Sequence, residues 1–188
     1  MDIPWRSEPS NKFVNNVGLI TSYGKKGDNI MSAEWTHHVS HEPGIIAVCI
    51  DREDTTYANI IGTKEFGVNL CAEDQSVISS ISGNNSGNET DKIGALKELG
   101  YKFFKGKKTK LLMVEGAALQ VECKLVKSIE LGDRTMFVGE AVYVHPVSGK
   151  QPLIYHSGKY WKFGEQIHKP KENELKKIKE IVERNKIN

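Results

Sequence analysis

The sequence predicts a mainly β domain (α+β), a small antiparallel barrel with Greek-key crossings and a few helices on its outside. Short runs rich in β-branched residues recur along the chain, with Gly, Pro and Asn turn signals between them. The regular alternation of strand and helix that a doubly wound sheet requires breaks down after residue 100. No Gly-x-Gly-x-x-Gly lies between a strand and a helix, so a Rossmann nicotinamide site is not expected.

Eight strands are predicted in chain order, at about 14–23, 29–35, 45–51, 66–71, 116–129, 134–145, 152–156 and 159–163. The fifth and sixth of these form a long hairpin, because both alternate in polarity and Leu131-Gly132-Asp133-Arg134 supplies a turn between them. Gly139 lies inside the return strand and predicts a bulge or bend, a common device for closing a barrel.

Helices are predicted over 57–63, 74–82, 91–99 and 172–185, where apolar residues recur at helical spacing. The last helix carries four apolar residues on one side of a cylinder rich in Lys and Glu: Leu175, Ile178, Ile181 and Val182. We expect residues 1–170 to form one domain and 171–188 to form an amphipathic helix packed on that domain. A face that binds a partner is the alternative interpretation of the narrow stripe.

Composition limits the class of function. The 188 residues are 38% hydrophobic and 27% charged, which is ordinary for a globular protein, and the net charge of +2 is too small to indicate nucleic acid as a main partner. The basic run 102–110 is therefore interpreted as a solvated loop. Three widely spaced cysteines (Cys49, Cys71 and Cys123) predict reduced core thiols. No membrane span or signal peptide is recognisable, so we expect a cytoplasmic protein.

The segment from Val17 to Leu70 carries most of the chemical information. It contains no nucleophile beside a base, but it offers small hydroxyls, an amide side chain, a cation and a helix start. This combination suits a phosphorylated planar cofactor better than covalent catalysis. The chain has four arginines, and Arg52 precedes a helix start at Thr56, where a phosphate would gain from free backbone N–H groups. The alternative is a plain N-cap threonine and a solvated arginine.

Histidines invite a metal interpretation at His37, His38 and His41. Suitable additional ligands are missing at the right spacing, apart from Glu34 and Glu42, so no metal site is expected. Solvated or interface histidines are the simpler interpretation.

An ordered set of motifs runs through the same part of the chain. They are Asn29-x-Met31-Ser32-Ala33-x-Trp35, Val39-Ser40-x-x-Pro43, Arg52-x-x-x-Thr56-Tyr57-x-x-Ile60, Glu65-Phe66-x-Val68-Asn69, Asp91-Lys92-Ile93, Glu122-Cys123, Val138-Gly139-Glu140-Ala141-Val142 and Pro152-Leu153-Ile154-Tyr155-His156-x-Gly158-x-Tyr160. Together they resemble the flavin reductase-like FMN-binding split-barrel family, and within it the flavoredoxin-type and archaeal members. The resemblance covers about residues 10–163.

The resemblance implies a six-stranded split barrel that forms a homodimer and binds FMN non-covalently near the subunit interface. It also implies roles for particular residues. Asn29, Met31, Ser32 and Ala33 would line the edge of the flavin ring, Lys92 would stabilise its reduced form, and Arg52 with Thr56 would bind the phosphate. Trp35 is either a core residue or a flat partner for the flavin. Phe163 is the first choice for an aromatic cover and Trp161 the second. The Asn84 loop and the segment 37–41 are expected near the dimer seam.

Two redox functions and one non-redox alternative follow. The first is an oxidoreductase in which NAD(P)H reduces FMN, and electrons then pass to free flavin, a ferric chelate or a redox protein. The second is an FMN-containing electron carrier with little direct NAD(P)H activity. The third is a Greek-key module that binds a protein or another ligand and no flavin. No catalytic side chain is required in the first two, because the flavin supplies the chemistry.

Overall fold

The computed structural model describes residues 1–187, which fold around one sheet of seven antiparallel strands. The strands of the chain are β1 (Asn15–Asn16), β2 (Gly18–Gly24), β3 (Gly27–Ala33), β4 (Thr36–Ser40), β5 (Ile45–Asp51), β6 (Glu65–Leu70), β7 (Phe103–Lys105), β8 (Leu112–Val114), β9 (Leu119–Leu131), β10 (Arg134–Val144), β11 (Ile154–His156) and β12 (Lys159–Trp161). The helices are α1 (Thr55–Thr63), α2 (Ser76–Asn84), α3 (Lys92–Glu98) and α4 (Glu172–Arg184), and a short 3-10 helix covers Ser10–Lys12.

The order of strands in the main sheet is β3-β2-β6-β9-β10-β5-β4, with crossovers between strands that are distant in the chain. The two end strands, β3 and β4, follow each other in sequence, so the sheet curls until its ends meet. The seam lies where β3 comes close to β5. Trp35, in the link between β3 and β4, continues the β4–β5 ladder, because the Cys49 backbone N–H donates to its carbonyl oxygen at 3.0 Å. The result is a mainly antiparallel, incompletely closed barrel, as predicted. The resemblance implied six strands, whereas the main sheet has seven because Thr36–Ser40 pairs with β5.

Side-chain alternation along the strands fills two cores. On β2, Ile20 points into the barrel and its neighbour Leu19 points to the outer layer, where α2 and α3 lie against β3. The barrel core contains Ile20, Ala33, Ile46, Val48, Ile50, Ile60, Phe66, Val68, Val121, Cys123 and Phe137. The outer core contains Val17, Leu19, Ile30, Cys71, Ile78, Ile93, Leu96, Val114, Ala117 and Leu153. Helices α2 and α3 are thereby fixed against the edge strand of the barrel.

The predicted β9–β10 hairpin is present, and Gly139 lies at a register shift within it. A Cβ atom at this position would collide with the Phe66 ring, so only glycine fits against the barrel core. The bulge thus bends the strand where a large aromatic side chain fills the interior.

Two sequence expectations differ from the structure in the loops. The basic run 102–110 is not a plain loop, because β7 and β8 pair across it as a short hairpin. Cys71 and Cys123 are buried as expected, but Cys49 is half-buried at the seam, and all three thiols are free.

Helix α4 forms where the sequence predicts it, but the structure does not show its predicted packing on the barrel. Its four apolar side chains are between 42% and 58% exposed: Leu175, Ile178, Ile181 and Val182. Within residues 1–187 the stripe therefore has no covering surface, and the division of the chain at residue 170 stays a prediction. None of the helices in this range is long and apolar enough to cross a membrane.

Candidate cofactor site

A cleft of about 700 Å³ opens along the barrel seam. One wall is the end of β3, with Met31, Ser32 and Ala33, followed by Trp35. The opposite walls come from the end of β5, the N-terminal segment and the β11–β12 turn, which contribute Cys49, Ile50, Asp51, Trp5, Phe13, Tyr155 and His156. Since β3 ends the sheet, its outer edge has no strand partner within residues 1–187. Backbone polar groups therefore face the cleft beside apolar and aromatic side chains.

Trp35 is a surface of this cleft and not a core residue. It is 49% exposed, while its carbonyl oxygen accepts the backbone hydrogen bond from Cys49 that continues the β4–β5 ladder. An anchored backbone with an exposed indole presents a flat apolar face to a ligand.

Two charged side chains of the cleft are partly withdrawn from water. Arg134 pairs with Asp51 at 3.0 Å, and its buried Nε atom lies 3.6 Å from the Asp133 carboxylate, too far for a hydrogen bond. On the other side, burial raises the pKa of Glu34, although hydrogen bonds from Trp5 and Asn15 oppose the effect. The cleft thus combines aromatic walls with a guanidinium donor that has unused hydrogen-bonding capacity.

A second group of polar residues lies around the start of α1, and we call it the hydroxyl–lysine cluster: Asn29, Thr55, Thr56, Ser82 and Lys92. Asn29 Nδ2 donates to Thr56 Oγ1 at 2.8 Å, and both residues are buried. The hydroxyls of Thr55 and Ser82 are buried without a hydrogen-bond partner within residues 1–187. Buried hydroxyls in this condition are costly unless a ligand or water satisfies them.

Lys92 is the cation of this cluster and is only 4% exposed. Its ammonium donates to the Ser82 carbonyl oxygen at 3.1 Å, which leaves two of its three N–H donors for other acceptors. Burial lowers the pKa of Lys92 to about 8, an effect that the Asp54 carboxylate partly offsets. A buried ammonium with spare donors is a strong candidate ligand for an anion.

Two glycines bring the α2–α3 region close to β3 and α1. A Cβ atom at Gly87 would collide with the Asn29 side-chain oxygen and lie 3.0 Å from Thr55 Oγ1. A Cβ atom at Gly83 would lie 3.2 Å from Ser32 Cβ. The hydroxyl–lysine cluster and the cleft are therefore neighbours along β3, with Ser32 between them.

The structure brings together most of the residues that the sequence singled out. Met31, Ser32, Ala33 and Trp35 share the cleft, while Asn29, Thr56 and Lys92 share the cluster. Lys92, at the start of α3, is not among the cleft-lining residues, whereas the family resemblance implied a place at the flavin ring.

Arg52 is not brought to Thr56. Its guanidinium donates to the Gly132 carbonyl oxygen at 3.2 Å and pairs with Glu130 at 3.5 Å. The reason is strand register: Asp51 pairs with Arg134, so the residue after β5 meets the β9–β10 turn.

Phe163 also lies outside the lining of the cleft and is 61% exposed, beyond the end of β12. Asn84 is exposed and bonds within its own helix to Ser80. The aromatic residues that do line the cleft are Trp5, Phe13, Trp35 and Tyr155.

Sequence reasoning missed the N-terminal wall, Arg134 and the two unpartnered hydroxyls. The rarity of arginine was a usable signal, since it pointed to Arg134 as much as to Arg52. No local signal marked Trp5 or Ser82, because their roles depend on contacts with distant segments.

A family model now gives the decisive comparison: the flavin reductase like domain matches residues 10–164. The chain belongs to this family. Among its relatives, the FMN reductase (NADH) RutF of Pseudomonas syringae is 26% identical over 144 residues, which are 77% of this chain and 77% of RutF. The ferric-chelate reductase (NAD(P)H) of Archaeoglobus fulgidus is 29% identical over 136 residues, which are 71% of this chain and 76% of the reductase.

Solved structures of flavin reductase-like proteins share the fold. Flavin reductase PheA2 in its native state has a TM-score of 0.73 at 25% identity, covering 88% of this chain and 100% of that one. Flavoredoxin of Desulfovibrio vulgaris (Miyazaki F) has a TM-score of 0.75 at 23% identity, covering 90% of this chain and 97% of that one. The family prediction and the predicted fold class are thus confirmed.

Proposed function

We propose that this protein binds FMN non-covalently and acts as an NAD(P)H-dependent oxidoreductase. One structural observation carries the proposal: a buried lysine and two buried hydroxyls that have no partner within residues 1–187 lie beside an aromatic-walled cleft in a flavin reductase-like chain. The proposal is also supported by relatives that are named FMN reductase and ferric-chelate reductase.

The residues fit the two ends of FMN. The phosphate is assigned to the hydroxyl–lysine cluster, where Thr55, Ser82 and Lys92 have unused donors and Gly87 leaves room that a Cβ atom would fill. The flat ring system is assigned to the cleft, between Trp35 and the free edge of β3. Arg52 and Phe163 are left out of this assignment because their side chains lie elsewhere.

FMN, when bound, would supply the hydride and electron transfer between NAD(P)H and the acceptor. The protein has to bind the cofactor, orient its ring and exclude water. The aromatic side chains of the cleft walls would shield the faces of a bound ring from water. Backbone groups along Met31, Ser32 and Ala33 can hydrogen-bond the polar edge of the ring. At the Asp51 end of the cleft the charge of Arg134 is balanced by two carboxylates, Asp51 at 3.0 Å and Asp133 at 3.6 Å.

The test begins with the visible spectrum of the protein after FMN addition and desalting. We expect retained flavin absorption, and bleaching within seconds when NADH or NADPH is added without oxygen. Retained FMN that stays oxidised for many minutes would replace the reductase with the electron-carrier alternative. If neither desalting nor a fluorescence-quenching titration reveals flavin binding, the proposal is wrong. Reoxidation by free flavin, a ferric chelate or a redox protein then identifies the acceptor class.

We further propose that the protein is a homodimer. Apolar side chains remain exposed beside the free edge of β4 and along α4, including Trp35 at 49%, Val39 at 57% and Ile178 at 46%. The segment 37–41 and the Asn84 loop remain our candidates for the interface between the two subunits.

Sedimentation should give a species of about 42 kDa, twice the chain mass of 21.0 kDa. A Val39→Lys variant is expected to shift the population toward monomer, whereas Val77→Lys, at an exposed position on α2, should not. A wild-type monomer that still binds FMN would contradict the dimer and leave the cofactor proposal intact.

A further inference from the structure

Three hydroxyl groups form a continuous hydrogen-bonded chain that ends at the cleft. Tyr160 Oη on β12 donates to Ser79 Oγ on α2 at 3.0 Å. Ser79 Oγ lies 3.0 Å from Ser32 Oγ on β3, and Ser32 lines the cleft. Ser79 is 3% exposed, whereas Tyr160 is 38% exposed. The chain therefore runs from a partly exposed phenol through a buried serine to the cofactor site.

One assignment of donors leaves no buried hydroxyl proton without an acceptor. A serine hydroxyl has one proton and two acceptor lone pairs. Ser79 accepts the Tyr160 proton, and either serine can be the donor in the bond between Ser79 and Ser32. If Ser32 donated, the proton of the buried Ser79 would have no acceptor among the described residues, so donation from Ser79 to Ser32 is favoured. No other hydrogen-bond partner of these three hydroxyls occurs within residues 1–187. The proton of Ser32 is then the one left over, and it is free to point into the cleft.

We infer that Tyr160 and Ser79 are positioning residues that orient the Ser32 hydroxyl as a hydrogen-bond donor to the ligand in the cleft. The inference rests on the proposed function, and the atom it serves is an acceptor, a carbonyl oxygen or unprotonated ring nitrogen, on a flat heteroaromatic ring. Without the chain, the Ser32 hydroxyl can rotate and present a lone pair instead. Successive hydrogen bonds also polarise one another, which strengthens the final donor.

The hydrogen-bonded chain of hydroxyls connects two segments that are distant in sequence, α2 and β12, to the cleft. Tyr160 follows the β11–β12 turn, and its ring contacts Tyr155, which lines the cleft, with ring centroids 5.7 Å apart. A Tyr160→Phe variant keeps this aromatic contact and removes only the hydroxyl. Tyr101→Phe is the matched control, because the Tyr101 hydroxyl makes no hydrogen bond among the described residues and the ring lies in the outer core.

The experiment measures FMN affinity by fluorescence quenching, together with the visible spectrum of bound FMN, in full-length variants with unchanged thermal melts. Ser32→Ala should weaken FMN binding about tenfold, as expected for loss of one good hydrogen bond. Ser79→Ala and Tyr160→Phe should each weaken it about threefold and shift the visible band in the same direction as Ser32→Ala. Tyr101→Phe should leave affinity and spectrum unchanged.

The double variant Ser32→Ala with Tyr160→Phe distinguishes positioning from a merely structural role. If Tyr160 acts only through Ser32, the double variant binds FMN as weakly as Ser32→Ala alone. A product of the two single effects would overturn the inference, and so would wild-type affinity and spectrum in Tyr160→Phe. Wild-type protein that binds no flavin would overturn the proposed function as well, whereas neutral variants of a flavin-binding protein overturn only the inference.

Discussion

Lys92→Met is expected to abolish tight FMN binding while making the flavin-free protein more stable. On the binding side, the variant removes a buried ammonium with two unused donors from the proposed phosphate site. Charge-assisted hydrogen bonds to a desolvated cation are strong, so we expect affinity to fall at least about thirtyfold. Equilibrium titration with FMN measures this loss.

The stability gain follows from the energy of burying a charge. Burial lowers the pKa of Lys92 from 10.5 to about 8. Keeping the ammonium charged at neutral pH therefore reduces the free energy of unfolding by about 3 kcal/mol. Loss of the bond to the Ser82 carbonyl oxygen offsets about 1 kcal/mol of this. Denaturant unfolding of the flavin-free variant should show a net gain of about 1–2 kcal/mol.

The same pKa predicts the pH dependence of binding. In the free protein the ammonium loses its proton as pH rises through about 8, so FMN affinity of the wild type should fall about tenfold or more between roughly pH 7 and pH 9.5. Riboflavin has the same ring without the phosphate, and its affinity should stay constant over that range.

Lys97→Met is the matched control, since Lys97 lies on the same helix and is exposed. It should change neither FMN affinity nor unfolding. Wild-type FMN affinity in Lys92→Met, or an equal pH dependence for riboflavin, would remove Lys92 from the phosphate site.

Glu122→Gln is expected to cause a large loss of stability. The Glu122 carboxylate is fully buried and accepts five hydrogen bonds, each between 2.6 and 2.9 Å, from Lys107 N, Lys108 N, Thr109 N, Thr109 Oγ1 and His145 Nε2. A glutamine would turn an NH2 group toward these donors. We expect the free energy of unfolding to fall by about 3 kcal/mol or more.

At acid pH, the difference in free energy of unfolding between the wild type and Glu122→Gln should become smaller. Burial alone raises the pKa of Glu122, but the hydrogen bonds from Lys107, Thr109 and Lys108 outweigh it and hold the pKa below 4.5. The stabilisation is therefore present above the unfolded-state pKa and is lost as pH falls through the lower, folded-state value. Glu115→Gln, at an exposed position, is the control and should stay within about 0.5 kcal/mol of wild type at every pH. A Glu122→Gln variant as stable as Glu115→Gln would show that the buried carboxylate is dispensable.

Local sequence patterns predicted the secondary-structure elements that are determined by residues close together in the sequence. The β9–β10 hairpin followed from alternation and a turn sequence, and Gly139 followed from its place inside a strand. The β7–β8 hairpin was missed because much of its support comes from Glu122, which bonds residues 13 to 15 positions earlier in the chain. Strand β4 was missed because three of its five residues are exposed and give no apolar alternation.

The residues of the site also divide into those that the local sequence predicts and those that only the fold brings together. The β3 residues were predictable because one short strand carries them all. Arg52 was assigned to the phosphate from its distance along the sequence to Thr56, but strand pairing turns its side chain to the β9–β10 turn. Ser79 and Tyr160 gave no signal, since their importance arises only when a helix and a late strand meet β3.

The two strands that flank the cleft, β3 and β5, lie near opposite ends of the hydrogen-bonded order of the sheet. The ladders from β3 through β2, β6, β9 and β10 to β5 are continuous, so the core is held by pairings that lie away from the cleft. Trp35 is tied to β5 by a hydrogen bond that continues the β4–β5 ladder, whereas β3 and β5 share no ladder among the described residues. A flat molecule can therefore lie between β3 and β5 without displacing either strand from its partners. A site that must admit a second flat molecule beside a resident one gains tolerance to thickness from this arrangement.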